Sequence, residues 1–143
     1  NDTLFFSNNK NQFFSVDLKT GSFNWENKIN SNLRSSLIGN YLISVSIEGY
    51  LIITEKKTGN IIKVTDVFKN FKLKKRKKIR PTGFLVGLNK IYISTSHGRL
   101  LVVDIMSGET ILTLKIDNER ISKPFIQNKN LFLIKNNAII KLN

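Results

Sequence analysis

Cysteine is absent from the 143-residue chain, so neither a disulfide framework nor a thiolate-held metal can be built from it. That absence leaves the compartment open, because periplasmic and cytosolic proteins both do without cysteine. Histidine occurs once, as His97, which leaves no second imidazole to share a metal or an acid–base task. No stretch is long and apolar enough to cross a bilayer as a helix, and nothing has the length and period of an amphipathic helix. The chain opens Asn1-Asp2-Thr3, with neither Met nor a signal peptide. We read this as a trimmed or internal start from which targeting information has been removed.

Acidic residues are few: 10 against 23 lysines and arginines, for a net charge of +13. Such an excess often signals nucleic acid, but here most of it is local. The run "KNFKLKKRKKIR" (69–80) holds eight basic residues and no acid, and the charge outside it is an ordinary +5. Phe68 and Phe71 lie only at its edge, with no stacking platform interleaved, so nucleic acid is not the expected partner. The remainder is rich in Lys, Asn and Ile together, which a codon bias explains as readily as a function. Hydrophobic residues make up 41% of the chain, enough for a core.

What the chain does have is a repeat. "FFSVDLKTGSFNW", "LIITEKKTGNIIKV" and "LVVDIMSGETILTL" each place an acid four residues before a glycine and a hydroxyl residue just before it. The motif residues are Asp17, Thr20 and Gly21; Glu55, Thr58 and Gly59; Asp104, Ser107 and Gly108. The glycines are 38 and 49 residues apart, and the longer interval contains the basic run, as an inserted loop would. Upstream of the later two turns lie pairs of alternating apolar runs joined at Glu48-Gly49 or His97-Gly98, a strong hairpin signal. Segment 4–17 matches with an Asn-rich turn, and 131–143 with Asn136-Asn137, since Asn tolerates left-handed geometry.

Each unit therefore reads as a meander of four short antiparallel strands, all-β and repeated at roughly 40 residues, as in a β-propeller. The expected blades are 3–29 (partial, lacking its first strand), 35–67, 82–116 and 123–142 (partial, lacking its last strand), with a basic inter-blade loop at 68–81. The acid-x-x-Thr-Gly element joins the third and fourth strands. Its acid accepts hydrogen bonds from its own turn, and its glycine supplies the reversal. A single blade cannot bury both faces, so stacking of blades makes the core.

These residues resemble the pyrroloquinoline-quinone-type (PQQ-like) propeller family, whose repeat runs roughly Ala-x-Asp-x-x-Thr-Gly-x-x-x-Trp. Val16-Asp17, Thr20-Gly21 and Trp25 match it. The other copies keep acid and turn but carry Lys63 and Leu112 where Trp is expected, so blade stacking there falls to Ile, Val and Leu. There is neither a Gly-His pair nor a Trp-Asp pair of the WD type. Rings of the family usually have about eight blades, so the chain is expected to be a C-terminal segment of a larger propeller; alternatively, two copies pair through their end strands. The unfinished end blades predict an aggregation-prone or dimeric piece.

The resemblance is strongest to BamB-like propellers of outer-membrane β-barrel assembly, which have degenerate repeats and no cofactor ligands. It implies a non-enzymatic periplasmic scaffold. The full-length protein would be lipid-anchored at the outer membrane and offer inter-blade loops to the barrel-inserting subunit. No catalytic, cofactor-binding or metal residues are expected. Quinone-dependent members need a cofactor cage, carboxylate and amide metal ligands and a catalytic Asp. No such set can be placed here, and their vicinal cysteines are impossible. The rivals are a fragment of a PQQ-dependent dehydrogenase and an extracytoplasmic sensor domain of a receptor. Trp25 reads as blade packing and His97 as a turn residue. The basic run, with Lys72, Lys74, Lys75, Arg76, Lys77, Lys78 and Arg80, is either a solvated mobile loop or a contact for an acidic partner or anionic lipid heads.

Overall fold

The computed structural model describes residues 2–142. The chain divides into two compact units, Asn1–Asp66 and Val67–Asn143. In the first, β1 (Thr3–Ser7), β2 (Phe13–Asp17) and β3 (Phe23–Asn27) form a three-stranded antiparallel sheet in chain order. A four-stranded meander follows: β4 (Ser36–Ile38), β5 (Tyr41–Val45), β6 (Tyr50–Glu55) and β7 (Ile61–Asp66). The second unit holds a short helix α1 (Leu73–Arg76), then the meander β8 (Pro81–Val86), β9 (Lys90–Thr95), β10 (Arg99–Asp104) and β11 (Thr110–Lys115). It ends with a three-stranded sheet of β12 (Phe125–Gln127), β13 (Asn130–Lys135) and β14 (Ala138–Leu142).

Burial follows strand position. In β5, Leu42, Ile43, Ser44 and Val45 are all buried, and β10 is buried from Leu100 to Val103. The fourth strands β7 and β11 contain no buried residue, and Ile61, Ile62, Val64, Ile111 and Leu112 are exposed there. Middle strands covered on both faces beside a bare outer strand are what stacked blades produce. The architecture is all-β: an unclosed β-propeller array of two full and two partial blades. The first sheet lacks a first strand and the last lacks a fourth, since the acid turn of the first sheet joins β2 to β3.

The repeat extends to a detail that composition does not show. The third-to-fourth pairing shifts register between Ser15 and Val16, between Ile53 and Thr54, and between Val102 and Val103. In every copy the shift falls just before the acid of the turn. A bulge adds local twist and bends the strand, so each blade turns its outer strand at the same place.

One expectation is corrected. The basic segment, read as loop without helix, folds a single helical turn, with Arg76 N–H donating to Lys72 O at 2.9 Å and Lys77 N–H to Leu73 O at 3.2 Å. Both of its ends are pinned: Phe68 and Ile79 are fully buried. The residues between them are good helix formers, so closing the span as a turn costs little.

Candidate interaction surface

The acid turns come first, because they carry most of the motif residues. Asp17 Oδ1 accepts the Lys19 and Thr20 N–H groups at 2.8 and 3.0 Å, while Gly21 N–H closes on Asp17 O at 2.8 Å. Asp104 Oδ1 repeats this with Met106 and Ser107 at 3.0 and 2.7 Å, and adds the Ser107 hydroxyl at 3.0 Å. Glu55, one methylene longer, takes the Thr58 hydroxyl. In all three copies the hydroxyl oxygen then accepts the second N–H after it, from Ser22, Asn60 or Glu109. The N–H bonds from Thr20 and Lys19 hold the Asp17 carboxyl below its ordinary range.

Trp25 links two blades inside the first unit. Its indole N–H donates to Lys56 O at 2.9 Å, and its ring packs with Phe5 and Phe13 at 5.9 and 5.7 Å. A Cβ on Gly59 would meet that ring at 2.7 Å. Gly59, at φ +78°, thus both reverses the chain and makes room for the indole.

The basic segment belongs to the second unit. Phe68 and Phe71 meet edge to face at 5.6 Å, and Lys75 Nζ sits 5.2 Å over the Phe71 ring. Lys72, Lys74, Lys77, Lys78 and Arg80 are exposed, Lys75 and Arg76 half-buried. Lys69 faces Glu109 at 3.8 Å. Sequence reading missed two further cations, Arg99 and Lys115. They are Cα partners across β10 and β11; burial first, and then their two charges, lower the Lys75 pKa. Hairpin alignment alone could have revealed that pairing.

His97 is half-buried in its hairpin turn, with Nδ1 3.0 Å from the Ser96 hydroxyl. Among the described residues no group of three or more His, Asp or Glu side chains lies close enough to hold a metal ion. A cleft of about 460 Å³ in the first unit is lined by Phe5, Phe13, Leu42 and Arg34 among others.

Residues 1–65 match the family described as outer membrane protein assembly factor BamB. Across 97% of its length the chain also superposes on BamB from Moraxella catarrhalis, at TM-score 0.76 and 14% identity. Over residues 1–65 the repeats are PQQ-like and similar to those of the BamB family. This PQQ-like chain spans 39% of that BamB structure. It matches the computationally designed Ika4 protein at TM-score 0.76 and 11% identity, over 99% of this chain and 85% of that one. A europium-containing methanol dehydrogenase aligns at TM-score 0.61 and 17% identity, over 78% of this chain and 22% of the enzyme. At these identities the superpositions speak for the propeller fold alone. No curated protein matches the chain.

Proposed function

We propose that this PQQ-like segment belongs to a non-enzymatic scaffold propeller of the BamB kind, working outside the cytoplasm at the outer membrane. The match of residues 1–65 to the BamB family carries this reading. The turn acids support it, because Asp17 and Asp104 are engaged by their own backbone amides and so serve chain reversal. In this role the segment offers inter-blade surfaces to a protein partner of the barrel-assembly machinery, with segment 69–80 as its contact surface. The free edges of β1 and β14 favour completion by further strands, from the same polypeptide or from a second copy.

The test is co-purification of the full-length protein with the barrel-inserting subunit. Stoichiometric recovery is expected, and its absence overturns the scaffold assignment. A dehydrogenase fragment is the second reading, because a methanol dehydrogenase shares the propeller fold. Adding the quinone and calcium to the full-length protein decides between them: cofactor absorbance with dye reduction supports the enzyme.

A further inference from the structure

We propose that α1 is a docking element for an acidic protein surface: Leu73 enters an apolar pocket of the partner, and the lysines around it meet carboxylates on the rim of that pocket. This rests on the reading of segment 69–80 as a contact surface, and deepens it by naming the chemistry of the partner.

The segment is ordered against its own charge. Its helical bonds run from Arg76 N–H to Lys72 O at 2.9 Å, from Lys77 N–H to Leu73 O at 3.2 Å and from Ile79 N–H to Lys75 O at 3.0 Å. Lys72 and Arg76 therefore stand one turn apart, as do Lys74 and Lys78. Like charges at that spacing are neighbours and destabilise a helix. No acid stands in the first turn to offset them. The turn is held by its surroundings instead. Phe68 and Ile79 are fully buried on either side of it. Phe71 meets Phe68 edge to face, and the Lys75 ammonium lies over the Phe71 ring. Arg80 is tied to the β9–β10 turn, its N–H donating to Ser96 Oγ at 3.0 Å and its carbonyl accepting Ser96 N–H at 2.8 Å. A charge run retained only for solubility needs no such anchoring. A segment that breaks a local rule and is nonetheless fixed in place is where function is expected.

What the turn presents is one apolar anchor among cations. α1 buries none of its residues, and Leu73 is 76% exposed. At 3.6 residues per turn, Leu73 and Lys75 project to opposite sides, so the leucine faces away from the ring that holds Lys75. Its neighbours on that side are Arg76 and Lys77, three and four residues on. An apolar side chain ringed by charge has the layout of an interface hot spot, where the anchor gives affinity and the rim gives partner choice. Lys72, Lys74, Lys77 and Lys78 are all exposed, so the complementary rim is acidic. Anionic lipid is the weaker fit. A fluid headgroup layer attracts eight cations whether or not they are ordered, whereas carboxylates fixed on a protein reward cations already fixed in place.

The test is the affinity of the full-length protein for the barrel-inserting subunit at several salt concentrations, together with a photo-crosslinking amino acid in place of Leu73 in the full-length protein in cells. Leu73→Ser should lower affinity roughly tenfold or more and leave its salt dependence unchanged. Lys74→Gln with Lys77→Gln should lower it about threefold or more, through the association rate, and flatten the salt dependence. Melting temperatures should stay at the parental value or above it, because α1 contributes no buried side chain and glutamine relieves the like-charge contacts; lost binding is thereby separated from lost folding. Binding of that subunit with unchanged affinity in either variant removes the docking element and leaves the scaffold. If the parent does not bind that subunit, the scaffold reading falls, and the crosslink decides for the docking element. An adduct mapped to an apolar pocket edged by Asp or Glu supports it. An adduct at a neutral or basic site, or partition into phosphatidylglycerol vesicles with no protein adduct, overturns it.

Discussion

The two units stack their blades with different materials. In the first, the contact is aromatic and directional: one indole lies on a glycine, its N–H fixed to Lys56 O, with Phe5 and Phe13 around it. In the second it is mainly aliphatic. Leu100, Ile121 and Leu133 are fully buried, and Leu114, Ile116, Leu131, Ile140 and Leu142 pack against them together with a single aromatic ring, Tyr92. An indole needs one particular partner, whereas branched aliphatics need only volume. The second unit can therefore dispense with the family's Trp and keep the fold.

The comparison breaks most visibly on the aliphatic side. Leu133→Ala removes a fully buried side chain from the cluster that joins the last two sheets, and should cost about 2–5 kcal/mol. Chemical denaturation followed by far-ultraviolet circular dichroism measures this. Leu133→Met, which conserves volume, should cost less than about 1.5 kcal/mol. Equal losses for the two would show that the site is not packed tightly.

On the aromatic side, glycine is the sensitive partner. Gly59→Ala forces a positive φ on alanine and drives its methyl into the Trp25 ring. Left-handed strain is roughly 1–2 kcal/mol and overpacking typically about 1–3 kcal/mol more. Gly21→Ala provides the control, since Gly21 has φ +71° and nothing within 4 Å of the added methyl; it should show the strain alone. Fluorescence of Trp25, the chain's single tryptophan, should shift in the Gly59 variant and stay unchanged in the Gly21 variant. A shift in both would place the effect in turn geometry instead of the ring contact.

The same contrast explains what the sequence disclosed. Strand count, the partial end blades and the turn chemistry were legible because each is local: an acid, a hydroxyl and a glycine at fixed spacing act within five residues. The partner of Trp25 was not, because Gly59 lies 34 positions away and meets the ring only when blades stack. The folded state of the basic run was hidden for a related reason. Its eight charges dominate the pattern, while the residues that order it, Phe68, Phe71 and Ile79, look unremarkable until Phe68 and Ile79 are found buried. Arg99 and Lys115 belong to separate strands, and only the register of β10 on β11 makes them neighbours.

The smallest expected effect concerns two carboxylates. Asp17 in the first unit is held ionised chiefly by backbone N–H groups, Thr20 before Lys19. Asp117 in the second is brought down to about 2, first by the Lys135 ammonium and then by the Glu119 and Asn118 amides. Both have a folded pKa below the ordinary aspartate value of 3.8. Each therefore contributes stability that is present above that value and is lost as pH falls through the folded one. For Asp117 the window runs from the ordinary value down to about 2. Lys135→Met should raise the Asp117 titration toward the ordinary value and leave that of Asp17 in place, read by carbon-detected NMR of the two carboxyls. High salt should act in the same sense on Asp117 and hardly at all on Asp17, because an ion pair is screened where amide hydrogen bonds are not. An Asp117 that still titrates near its parental value in Lys135→Met would assign its depression to the turn amides, and the two units would then hold their acids by the same means.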